Sequence, residues 1–415
     1  MDNRAENKPR FPKLNPMVII LAIFAAYAFF GFSDNVKGPA LPRIQADLVI
    51  TELQLGLLLA INVIGYIISC SFTAALVKKI GMKTCLLFAL AIMAVSGIGI
   101  CFSTGYFALV SSFFCLNLGN GMLEVSLGIS AAKAFIRNTG AMMNLAHSFY
   151  GIGAIIGPMA STGLMAFSLQ GQTLGWRYMY LVVLCCAIVP AVPVIFGRFG
   201  KTDKSEKKTG YAAMLKKPTL WLVILILSLG SVCEMGVGAW FVNFLEKAHS
   251  FPEERAAFFL TLFFVCFTLT RLALGPVIDK VGLINSLVIG LAFAGTLIVI
   301  GVLSGEPGAY LLVVAGIGIA PVFPTLMAVV AKLFLDTIDL AITVVVTITG
   351  ITMVGANFLL GGIINFARRL FTDTYGDSGV AMAYSAGYLF LGLCCLGAFV
   401  VALILRMKQK KAGLI

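Results

Sequence analysis

Charge is what this chain has least of. Of its 415 residues only 12% are Asp, Glu, Lys or Arg, with 2 His and 3 Trp, while 60% are hydrophobic. A soluble fold of this size needs a polar surface, and this composition cannot supply one. Long polar segments are missing too: the longest, GRFGKTDKSEKKTGYAAMLKK, ends at Lys217. The loops are therefore too short to carry an enzyme site, and no large soluble appendage supports a sensor. No P-loop, metal-ligand spacing or Ser/His/Asp arrangement occurs, so neither ATP hydrolysis nor nucleophilic catalysis has a site and no cofactor or metal is expected. The 30 basic residues exceed the 18 acids, for a net charge of +12, but they are spread through short loops. That pattern is topological and sets nucleic acid aside as a partner. The ten cysteines all fall in apolar runs, four of them as the adjacent pairs Cys185-Cys186 and Cys394-Cys395, and read as small packing residues.

What is present is a succession of apolar runs, each long enough for a hydrocarbon core of ~30 Å. The expected fold is an all-α integral membrane protein with twelve spans, in a bacterial inner membrane. The first begins near Met17 and runs through Asp34 and Lys37; the others cover 52–77, 83–102, 106–135, 139–167, 177–196, 218–246, 253–278, 283–303, 309–334, 341–366 and 380–405. Arg4, Lys8, Arg10 and Lys13, then Lys78, Lys79, Lys83, Lys133 and Arg137, the basic central loop and the basic tail all fall on one side. Both termini and that loop are accordingly expected in the cytoplasm. The first run is too long for a signal peptide and has no small-residue cleavage site, so it reads as a retained span. The organisation is then a tail over 1–16, a six-helix half over 17–198, a linker over 199–217, a second half over 218–407 and a tail over 408–415.

One acid stands out. Glu124 lies near the middle of the fourth run, with Asn117 and Asn120 seven and four positions before it on the same helix face. An ionised carboxylate at the bilayer centre costs at least ~2.5 kcal/mol, so it faces a bundle interior or a water-filled cavity. It carries function there, or else it bridges two helices in its neutral form.

The two halves carry related turns. Gly275-Pro-Val-Ile-Asp279-Lys280-Val-Gly282 fits G-x-x-x-D-[RK]-x-G, and about half a chain earlier stands Ala74-Ala-Leu-Val-Lys78-Lys79-Ile-Gly81-Met-Lys83. An acid near a helix end in a tight turn, with basic neighbours, can hold two helices together in one state and release them in another. A parallel six-plus-six repeat is a known transporter plan.

At these residues the chain resembles the major facilitator superfamily, over nearly its whole length. The second turn matches well; the first has Lys78 where the family has Asp. Within the superfamily it is most similar to the fucose/galactose/glucose:proton symporter group or a sister of it. The shared features are the Lys78-Lys79-x-x-x-Lys83 turn, an acid late in span 1 (Asp34), the Leu123-Glu124 pair, and the run from Asn144 to Gly153 in span 5. Span 7 from Val232 to Asn243 and Pro321-Val-Phe-Pro324-Thr325 in span 10 are similar as well. Two departures are His147, where Gln is usual, and a longer segment after Asp34.

The resemblance implies a secondary transporter that couples protons to uptake of a small polar solute, most simply a monosaccharide, through rocking of two halves. It is expected to act as a monomer in the lipid bilayer. The alternatives are a proton antiporter that exports drugs or sugars, and a sensor that has lost transport. Glu124 and Asp34 are the candidate proton carriers, since a carboxyl removed from water favours its neutral form; Asp34 and Lys37, three apart, would otherwise be a static pair. Asn120, Asn144, His147, Glu234, Trp240, Asn243 and Asn357 are candidates for the solute. For His147 the alternative is packing, for Glu234 a helix bridge, for Trp240 an interfacial ring. Asn357, among Gly350, Gly355, Gly361 and Gly362, sits where helices pack closely. Gly153-Ala-Ile-Ile-Gly157-Pro158 has the form of the G-x-x-x-G-P element of exporters and equally of generic helix packing. Gly275, Asp279, Lys280 and Gly282 form the candidate gate, with Arg271 ahead of them as a partner for carbonyls or acids.

Overall fold

The computed structural model describes residues 16–50, 52–169, 172–173, 175–199 and 210–411. The tail over 1–15, the linker core over 200–209 and the last four residues lie outside them. Among the described residues twelve helical segments are long and apolar enough to cross a membrane, each overlapping the run expected at its place.

The chain falls into two units, one of residues 1–136 and 149–207, the other of 137–148 and 208–415. The first holds α1 (Pro16–Asn35), α2 (Lys37–Leu48), α3 (Glu52–Ile80), α4 (Met82–Cys101) and α5 (Tyr106–Ala134). It also holds α6 (Thr139–Ala166) from Phe149 onward, then α7 (Gly175–Cys185) and α8 (Ile188–Phe196). Within it α5 packs against both α3 and α4, and α1 against α5 and α8. The all-α expectation holds. The connection between α6 and α7 adds a two-residue ladder, Ser168–Leu169 (β1) antiparallel to Gln172–Thr173 (β2).

The second unit holds the first ten residues of α6, then α9 (Tyr211–Leu215), α10 (Pro218–His249), α11 (Glu253–Val281), α12 (Leu283–Leu303), α13 (Gly308–Ile319), α14 (Val322–Leu333), a 3-10 turn (Leu335–Thr337), α15 (Ile338–Tyr375) and α16 (Asp377–Lys411). Here α16 packs along α10, α12 and α15.

Three of the twelve spans are built from two helices each: Pro16–Leu41, Gly175–Phe196 and Gly308–Leu333. A proline explains each break. Proline has no N–H for the carbonyl four residues before it, and its ring crowds that carbonyl. Pro39, Pro190 and Pro324 stand four residues after Asn35, Cys186 and Ala320, where the three helices part. At the third break the freed carbonyl finds another donor: Arg271 Nε–H donates to the Ala320 carbonyl at 2.7 Å. At the first, Ser161 Oγ, fully buried, donates at 3.1 Å to the carbonyl of Val36, the residue between the two helices. Prolines 158 and 276, by contrast, are carried inside unbroken helices.

The related turns fold alike. Gly81 alone separates α3 from α4, and Gly282 alone separates α11 from α12. Their φ angles are +85° and +92°, a region costly for any residue with a Cβ.

Candidate functional site

In the first unit the site is organised by the contact of α3 with α5. The Tyr66 hydroxyl donates to Oε2 of Glu124, a hydrogen bond between side chains 58 positions apart. Both residues are half-buried. Among the described residues Glu124 forms no ion pair. Asn120, one turn earlier, is buried with its Oδ1 unpartnered; so is Asn62 Oδ1, one turn before Tyr66 on α3. Buried amide oxygens are rarely left without a donor, and two near this carboxyl mark a place suited to water or a polar solute. Asn117 does not join them: its Nδ2 donates back to Phe113 O at 3.0 Å.

Asp34 is dressed differently. It closes α1, and Lys37 Nζ, just past the break, reaches its Oδ1 at 2.8 Å, with the two side chains 28% and 48% exposed. Tyr150 of α6 donates to the other oxygen at 3.2 Å. The Asp34–Lys37 pair, the alternative to a transport role for Asp34, is present, and Asp34 carries a cation that Glu124 lacks among the described residues. The Gly153/Gly157 element is a helix contact: a Cβ on Gly153 would stand 2.1 Å from Ala28 O, and one on Gly157 2.9 Å from Phe32 O. α1 presses on it.

In the second unit the polar groups meet in three places. Arg271, buried at 5% exposure, holds the Ala320 carbonyl, reaches Glu234 Oε1 at 3.4 Å, and lies over the Phe267 ring at 4.2 Å. Asn144 donates to Gly140 O at 2.9 Å and to Thr325 Oγ1 at 3.3 Å, while His147 on the same face of α6 packs against Phe323 with ring centres 5.1 Å apart. Third, Asp279 receives the N–H groups of Gly140 and Ala141 at 3.0 and 2.9 Å. These are first-turn amides of α6, without partners in their own helix and at its positive end. Close packing makes the bond possible: a Cβ on Gly275 would lie 2.8 Å from Ala141 Cα, and one on Gly140 would lie 2.9 Å from Asp279 Oδ1. Lys280 is exposed beside it.

The remaining candidates are less concentrated. Trp240 is half-buried beside Gly361, Asn243 is exposed on α10, and the side chain of Asn357 on α15 lies outside the described residues. Sequence reasoning missed Tyr66, Asn62 and Phe323. The only signal for the first two was a polar pair spaced by four in the second apolar run.

Comparison with known proteins decides the family. The model described as Major Facilitator Superfamily matches residues 23–351. The chain belongs to the Major Facilitator Superfamily. This is a family of transporters, not enzymes. The chain is similar to solved structures of FucP, the E. coli fucose:proton symporter; in the outward conformation the TM-score is 0.78 at 16% identity, covering 94% of this chain and 99% of that one. The proton:xylose symporter XylE follows at TM-score 0.72 and 14% identity, covering 93% and 94%. At these identities the likeness establishes the superfamily fold.

Among curated relatives, Bypass of stop codon protein 6 of Saccharomyces cerevisiae is 22% identical over 63% of this chain and 57% of its own length. The Phosphoglycerate transporter protein of Salmonella typhimurium is 25% identical over 42% and 38%. Each of these matches spans less than two thirds of the relative.

Proposed function

We propose that the protein is a proton-coupled importer of a small polar solute, a monosaccharide being the best candidate, working by alternating access as a monomer. It sits in a bacterial inner membrane with both termini and the central loop cytoplasmic, and residues 17–198 and 218–407 form its two halves. The observation that carries this reading is Glu124: an embedded acid with a tyrosine donor and no cation beside it. Such a carboxyl can gain and lose a proton without breaking an ion pair, as a carrier must. Asp34, tied to Lys37, is the second candidate carrier. The names of FucP and XylE as proton symporters of sugars support the choice of substrate class.

Asn120, Asn144, His147, Glu234, Trp240, Asn243 and Asn357 are assigned to the solute. The buried unpartnered oxygens of Asn120 and Asn144 support the assignment, since they are acceptors suited to sugar hydroxyls. Gly275, Asp279, Lys280, Gly282 and Arg271 are assigned to the gate. Symport requires that proton and solute favour the same state, so each raises the affinity for the other.

The test is uptake into proteoliposomes. A panel of monosaccharides is first ranked by thermal shift of the purified protein, and the best is then offered with and without an inwardly directed proton gradient. Accumulation only with the gradient is the expected result. Gradient-driven efflux, or transport indifferent to pH, overturns the reading.

A further inference from the structure

Glu124 is reached from α3 through a contact that packing imposes. Three residues before it on α5, Gly121 brings the two helices together: a Cβ there would stand 2.6 Å from the Tyr66 carbonyl oxygen and 2.2 Å from Ser69 Oγ. Cys70 Sγ lies 3.7 Å from the Gly121 carbonyl on the same seam. With the backbones this close, the Tyr66 hydroxyl meets Oε2 of Glu124.

Among the described residues, Tyr66 and Cys70 of α3, Tyr27 and Asp34 of α1, and Tyr150 of α6 are titratable groups near enough to act on the charge of Glu124. None of them is a cation. Among the described residues the phenol is the donor that the Glu124 side chain receives. An ionised carboxylate only accepts, and a donor bonded to it makes a charge-assisted bond, stronger than one to the neutral acid.

We propose that Tyr66 is a positioning residue of the proton carrier: by donating to the ionised form of Glu124 it sets the pH at which that carboxyl loads its proton. This rests on the reading of Glu124 as the carrier. Once Glu124 is protonated, the hydroxyl is left with an ordinary neutral bond, so the α3–α5 contact weakens with loading.

The test needs no solute. Infrared difference spectra of the purified full chain are recorded across pH, and the protonated-carboxyl band of Glu124 is identified by its loss in Glu124→Gln. In Tyr66→Phe the midpoint of that band should move to higher pH by about one unit, roughly a tenfold gain in proton affinity. 3-Fluorotyrosine at position 66, a more acidic phenol and a better donor, should move it to lower pH and serves where Tyr66→Phe does not fold. A midpoint unchanged by both substitutions overturns the role of Tyr66. If no band lost in Glu124→Gln titrates in the parent, the reading of Glu124 as carrier fails instead.

Discussion

Arg271 Nε lies 2.7 Å from the carbonyl oxygen of Ala320, the acceptor that Pro324 leaves without its helical donor. One cation thus mends a broken helix and pairs with Glu234. Replacing Arg271 with Leu strands a fully buried carbonyl, at a cost of about 1–3 kcal/mol, and lowers the melting temperature of the purified protein. If Pro324 is the cause, Pro324→Ala restores a backbone N–H and makes Arg271→Leu less damaging. Equal losses in the two backgrounds would show that Arg271 is not answering the proline.

The cap on α6 has its own test. Asp279→Ala removes the acceptor of two first-turn amides, worth about 1 kcal/mol by comparison with helix caps. The expected outcome is slower interchange, read as slower solute counterflow, with solute affinity in equilibrium binding nearly unchanged. Gly140→Ala, which thrusts a Cβ against Asp279 and Leu283, should act in the same direction. Loss of affinity in a folded Asp279→Ala protein contradicts the gating assignment.

Lys37 should behave as a counter-ion to Asp34. Asp34→Asn alone leaves an ammonium without its carboxylate, and Lys37→Met alone leaves the reverse. If neutralisation is the point of the pair, Asp34→Asn combined with Lys37→Met recovers part of the activity lost by either. The pair is partly exposed, so its effect on stability is small. A double variant no better than the worse single one makes Asp34 a participant in transport in its own right.

The sequence made the twelve spans plain because a run of about 20 apolar residues leaves the chain little choice in a membrane. It also made Glu124, Asp34 and Asp279 plain, because an acid is conspicuous against such a background. What those acids touch was hidden. Tyr66 is far from Glu124 in the chain and has the look of any half-apolar tyrosine, while Asp279 binds backbone amides, which no residue code announces. The helix breaks were half legible. Pro39, Pro190 and Pro324 mark them, yet Pro158 and Pro276 sit in unbroken helices, so proline alone does not decide. At the third break a side chain from elsewhere, Arg271, takes up the freed carbonyl, and such a donor is found only through the fold.

The account turns on the proton at Glu124. Glu124→Gln keeps the shape and an acceptor for Tyr66 while standing in for a permanently protonated carboxyl. In proteoliposomes this variant should fail to accumulate solute against a gradient when driven by protons, and its solute binding should lose most of its pH dependence. It should retain counterflow, which needs no net proton movement. Accumulation by Glu124→Gln at the parent's level, with the parent's pH dependence, would contradict the account and move the coupling role to Asp34.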